Sequence, residues 1–207
     1  IRYVSERTGA FVDAVVAIAM TLLILPLMEA STELAHGDLT AAQWLGEHAQ
    51  QVVSFLMSFV LSARFWMGEH QMSRRVERVD GTLMWLTMAW LLSIVWLPVA
   101  TALAGQASAE DPVAKGVYIG GMAMVALIGA LQRTWLLRHP ELGAGYEIEA
   151  RHGLAAYAAM AVLFTVALIV GVAWPQSSYY PMLAMVFVGP LQSMISRLQE
   201  RRRARSA

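Results

Sequence analysis

The sequence predicts an all-α integral membrane protein of six transmembrane helices, forming a single domain over residues 1–207. Three observations carry that prediction. Of the 207 residues, 57% are hydrophobic and only 14% are charged, whereas a soluble domain is about half apolar and about a quarter charged. The apolar residues also gather into six stretches of roughly 20 residues, the length a helix needs to cross ~30 Å of hydrocarbon. Finally, Arg and Lys cluster on alternate connections, as they do in a chain threaded back and forth through a bilayer.

The spans follow in order. Span one runs from Thr8 to Met28, span two from Ala49 to His70, and span three from Gly81 to Leu103. Span four runs from Val113 to Leu137, span five from Gly153 to Trp174, and span six from Tyr179 to Ser196. A bilayer core offers the backbone no hydrogen-bond partner, so each span is expected to be helical. The short alternating segments of a membrane barrel are absent.

Charge sets the expected orientation. Arg2 and Arg7 precede span one, and Arg64, Arg74, Arg75 and Arg78 fall at or beyond the end of span two. Arg133, Arg138 and Arg151 surround the loop between spans four and five, and five arginines follow Ser196. These make fourteen basic residues on one side against Lys115 alone on the other. Both termini are therefore expected to be cytoplasmic in a cell membrane, with the C-terminal arginines holding that end inside. The opposite connections carry Glu29, Glu33, Asp38, Glu47, Glu110 and Asp111. Such loops suit a cation-attracting vestibule, although any translocated segment poor in arginine has the same composition.

Span one has the basic flank of a signal peptide. Asp13 at its head and the bulky Met28 before Ala30 argue instead for a retained span. The sequence has no cysteine, which excludes disulfides, thiolate metal sites and a catalytic thiol. There is no phosphate-binding glycine loop, no HExxH pair and no Gly-x-Ser-x-Gly turn, and the convergent groups that catalysis needs are missing. No enzyme, cofactor, bound metal or nucleic-acid partner is expected.

Span one carries the densest pattern. On a helix of 100° per residue, Ile18, Leu22 and Leu25 share about 60° of arc. The stripe extends back through Phe11 and Ala14 and forward to Glu29, with Thr21 beside it. Periodicity by itself assigns such a stripe to lipid contact or helix packing. Asp13 points about 140° away, towards neighbouring helices. A carboxylate inside a span costs about 2.5–3.5 kcal/mol on insertion scales and needs a partner. Trp66 and His70 of span two, one helical turn apart, lie at the matching depth, although His70 also suits an interfacial position against water and headgroups. Pro26 is placed to bend or end span one, and Pro190 to kink span six. Gly116, Gly120, Gly121 and Gly129 are placed for close packing of span four, and tryptophans with Tyr179 and Tyr180 for interfacial anchoring.

The segment Arg7-Thr-Gly-Ala-Phe11-Val-Asp13, followed by Ile18, Thr21, Leu22 and Leu25, resembles the opening helix of the transmembrane-protein-175 potassium channels. Those proteins carry Arg-x-x-x-Phe-Ser-Asp and then an Ala/Ile-rich Thr-Leu-Leu stretch. Val12 departs from the usual serine. The resemblance is specific over about 25 residues and weaker in span two.

It implies a homotetrameric channel conducting monovalent cations, with helix one lining an axial pore. It further implies a hydrophobic constriction at Ile18, Leu22 and Leu25, a selectivity contribution from Thr21, and Glu29 in the outer vestibule. Arg7, Phe11, Asp13, Trp66 and His70 would form a structural or gating network. No Thr-Val-Gly-Tyr-Gly filter is present, so potassium preference is expected to be modest and to depend on side chains. The alternative is a proton-coupled secondary transporter using Asp13 and His70. Against it, spans four to six hold no repeat of the Arg-to-Asp motif.

Overall fold

The computed structural model describes residues 3–32, 40–108, 110–143 and 145–173. The helices are α1 (Ser5–Leu22), α2 (Leu25–Ala30), α3 (Ala41–Glu47), α4 (Ala49–Ser73), α5 (Gly81–Gln106), α6 (Pro112–Arg138) and α7 (Glu147–Ala173). A 3-10 turn at Pro140–Leu142 joins α6 to α7. The short strands β1 (Tyr3–Val4) and β2 (Arg78–Val79) pair antiparallel and tie the chain start to the α4–α5 connection. Taking α1 with α2, five segments are long and apolar enough to cross a membrane. They match the first five predicted spans. Span six, Pro190, Tyr179, Tyr180 and the arginine-rich tail lie outside the described residues.

Local chemistry sets the helix ends. Asp80 caps α5 by accepting from the Leu83 N–H at 2.8 Å. Asp111 accepts from Val113 and Ala114 at the start of α6, where Pro112 occupies a position that needs no N–H donor. Thr40 and Gln43 form a reciprocal capping box on α3. Pro26 interrupts the first span as expected. It has no N–H for the Leu22 carbonyl, and α1 stops at Leu22 before α2 resumes at Leu25.

Helix α6 packs most extensively against α7 and next against α5, while α1 lies on α4 and α5. The core includes Phe65, Trp90, Ile94, Leu97, Tyr118, Met122 and Phe164. Apolar contact between helices gains little over contact with lipid tails, so close packing and interhelical polar groups must contribute. One such group joins three helices: the Ser58 hydroxyl of α4 lies 2.8 Å from both the Tyr118 hydroxyl of α6 and the Thr101 hydroxyl of α5. A second cluster, including Met72, Val79, Leu83, Leu142 and Tyr146, closes one end of the bundle. Outward faces stay apolar, with Trp85, Leu92, Val162 and Ile169 largely exposed, as lipid contact requires.

Three basic residues lie elsewhere than expected. Arg64 is inside α4, about 14 Å of helix before its end. Arg133 is buried within α6, and Lys115 is fully buried at that helix's opposite end rather than in a loop. All three fall inside the apolar stretches that form these helices, so the helix rather than a loop fixes their positions. The exposed arginines at 74, 75, 78, 138 and 151 do gather at one end of the bundle, while Glu29, Glu47, Glu110 and Asp111 lie towards the other. Among the four glycines of span four, only Gly129 permits an unusually close approach. A Cβ there would come within 2.2 Å of the Tyr157 ring, whereas Gly121 has ordinary contacts and Gly116 and Gly120 face open space.

Candidate functional site

The first span divides into two faces. Val12, Val16, Ala19 and Leu23, continued by Leu27 in α2, are buried against the bundle. The opposite face leaves Phe11 52% exposed, Ile18 60%, Leu22 38% and Leu25 46%. Arg7, Ala14, Thr21 and Glu29 continue this exposed stripe. Among the described residues, nothing covers this face of the helix. The Thr21 hydroxyl donates to the Ile18 carbonyl at 2.7 Å. Its proton is thereby committed to the backbone, leaving its oxygen lone pairs available to accept from a donor or to approach a cation.

Asp13 lies at the edge of the buried face and meets α4. Trp66 Nε1 donates to Asp13 Oδ1 at 2.8 Å, and His70 Nδ1 is 3.2 Å from Oδ2 and 3.4 Å from Oδ1. The rings of Trp66 and His70 are tilted neighbours with centroids 5.4 Å apart, which follows from their spacing of one helical turn. Of the five residues assigned to a network, the structure joins Asp13, Trp66 and His70. Arg7 and Phe11 are exposed and lie outside this group.

A buried ionic cluster behind the first helix went unnoticed in the sequence. Glu69 and Arg133, each with a side chain 2% exposed, pair at 3.7 Å between α4 and α6. Gln132 Nε2 donates to Glu69 Oε1 at 2.9 Å and lies 3.3 Å from Thr87 Oγ1 of α5. The Arg133 guanidinium donates to the carbonyls of Gly129 and Gly68 and lies 3.8 Å over the Tyr157 ring. The available signal was an acid and a base both inside apolar spans, a combination that is costly unless paired. Beyond the spans, burial pushes the Tyr146 phenol above its ordinary value, with nearby Arg133 acting in the opposite sense. Among the described residues, no group of three His, Asp or Glu side chains is placed to hold a metal ion.

Such a bundle defines a class: a multi-span membrane protein whose first helix leaves one face uncovered and is anchored from behind by a carboxylate, a tryptophan and a histidine. Comparison with known proteins narrows the class. Residues 7–98 match the family model for the endosomal/lysosomal potassium channel TMEM175. A potassium channel of Streptomyces collinus is 37% identical over 136 residues, 63% of this chain and 63% of that protein. The endosomal/lysosomal proton channel TMEM175 of Gallus gallus is 28% identical over 146 residues, 67% of this chain and 27% of that protein. The chain thus spans less than two thirds of the length of these relatives. The crystal structure of a lysosomal potassium-selective channel TMEM175 homolog from Chamaesiphon minutus has the same fold, with a TM-score of 0.74 at 21% identity over 91% of this chain and 97% of that one. Over residues 7–98 the chain is therefore similar to the TMEM175 channels, and it shares their fold.

Proposed function

We propose that this protein is a cation channel passing potassium down its gradient with modest selectivity. The path runs along a central axis where the exposed faces of α1 and α2 from four copies meet. The observation that carries the proposal is the continuous uncovered stripe from Phe11 to Glu29. One chain cannot enclose an axis with it, but a ring of copies can. Branched side chains at Ile18, Leu22 and Leu25 then narrow the conduit, and a ring of this kind closes by expelling water. Thr21 contributes oxygen atoms to a partly dehydrated cation, and Glu29 lends negative charge to the outer mouth. The Asp13–Trp66–His70 group fixes the helix from behind, in a structural or gating role. The arginine-rich end faces the cytoplasm of a cell membrane, and the permeating cation is the only small molecule required.

A second reading, proton permeation or proton coupling through Asp13 and His70, draws support from their close approach and from the printed name of the Gallus gallus relative. Reconstitution in liposomes under a potassium gradient separates the two. Electrogenic potassium flux that ignores an imposed pH gradient, and that rises when Ile18→Asn wets the constriction, supports the potassium channel. Flux that obligatorily exchanges protons, or an Ile18→Asn variant that conducts like the wild type, overturns it.

A further inference from the structure

A cleft of about 730 Å³ opens between α4 and α7, on the side of the bundle away from the Asp13 group. Its walls follow from helical spacing. Arg64, Gly68 and Gln71 form one stripe of α4, continued by Arg75 in the turn that follows it, and Glu149, His152, Ala156 and Met160 form one stripe of α7, with Arg133 on the floor. The two helices run antiparallel, so the mouth carries Arg74, Arg75 and His152 while Ala156, Tyr157 and Met160 line the deeper part.

The electrostatics of this cleft are unbalanced. Four arginines line it against one carboxylate, Glu149, which lies 3.9 Å from Arg75. Glu69 behind the floor offsets Arg133. Arg64, well inside the span, has no carboxylate within ion-pairing distance among the described residues. An unpaired arginine at that depth is costly. Arg133 adds an independent sign: it is 1% exposed, and its Nε has no hydrogen-bond partner among the described residues. Gly153 leaves the space beside that nitrogen, where a Cβ would approach to 2.9 Å.

We propose that this cleft binds a phosphate-bearing anion, supplied by the headgroup of an anionic phospholipid. Arginine presents a planar fork of donors matched to phosphate oxygens, and basic pockets between helices near the cytoplasmic surface suit such headgroups. The apolar deeper lining, at the depth of acyl chains, favours lipid over a free anion. Lipid then provides the counter-charge that Arg64 lacks.

The test uses the full chain in detergent, with phosphatidylglycerol binding followed by native mass spectrometry and phosphatidylcholine as the uncharged comparison. Wild type should bind phosphatidylglycerol preferentially. The double variant Arg64→Gln/Arg75→Gln should bind it at least about tenfold more weakly, as expected from loss of charged hydrogen bonds, while Arg64→Lys/Arg75→Lys retains most of the affinity. The single variant Arg75→Gln, altering a side chain 65% exposed, provides a readout independent of any folding defect at Arg64 and should also weaken binding. Unchanged binding in the folded glutamine variants overturns the site. Displacement of the lipid by millimolar inorganic phosphate assigns the cleft to a soluble anion and overturns the lipid source.

Discussion

At the scale of single residues, the molecule depends on how it satisfies charge inside an apolar bundle. Asp13 receives the Trp66 N–H at 2.8 Å, and a hydrogen bond to a charged group contributes about 1.5–3 kcal/mol. Trp66→Phe keeps the ring and removes the donor, so thermal unfolding in detergent should show a loss of that size. Unaltered stability would mean that Asp13 is held by other groups. Glu69 and Arg133 present a sharper case because both are buried. Arg133→Met strands a buried carboxylate and should cost about 3–5 kcal/mol, whereas the double change Glu69→Gln/Arg133→Met removes both charges and should recover most of that loss. If the double variant is as unstable as the single one, the arginine acts mainly through the Gly68 and Gly129 carbonyls and the Tyr157 ring. The spacing of Trp66 and His70 exposed the Asp13 group in the sequence. No comparable local pattern linked Glu69 to Arg133, which are 64 positions apart and meet only when α4 packs beside α6.

At the scale of helices, boundaries were readable because their causes are local. Asp80 and Asp111 are caps, Pro112 starts a helix and Pro26 interrupts one. Packing partners were less readable, since a glycine in a span has the same local character whether it meets a ring or open space. Gly129 meets Tyr157 of α7, whose hydroxyl donates to the Phe65 carbonyl of α4. Tyr157 is therefore a tie between three helices and cannot swing aside freely. Gly129→Ala should destabilise the bundle by about 1–3 kcal/mol through overpacking. Gly120→Ala, with nothing within 4 Å, should be neutral or slightly stabilising because alanine is the better helix former. Equal effects at the two positions, measured by thermal unfolding, would contradict this packing.

At the scale of the whole molecule, the uncovered face of the first span leads to a prediction about assembly. The native chain has no cysteine, so single cysteines report contacts between copies without background. Leu25→Cys places a thiol on the exposed stripe and should form cross-linked dimers under mild oxidation, because copies meeting at an axis bring Cα atoms within the ~4.4–6.8 Å that a disulfide requires. Leu23→Cys, at a position only 2% exposed, should not cross-link. Equal cross-linking at both positions, or none at either, would remove the axial arrangement from consideration.

The sequence by itself determined the membrane class, five described spans to within a few residues apart from the earlier start of the fifth, and the two faces of the first helix. Hydropathy, helical period and capping are local or cumulative along the chain, so they survive without knowledge of partners. Only the tertiary structure decided which spans pack together, that Arg133 and Lys115 are buried, that Gly129 alone of the four glycines in its span is pressed closely by a ring, and that Arg7 stands apart from the Asp13 group. Each of these depends on two surfaces meeting across the bundle. A side chain's identity constrains what it needs, but the residue that supplies it is set by the packing of helices distant in sequence.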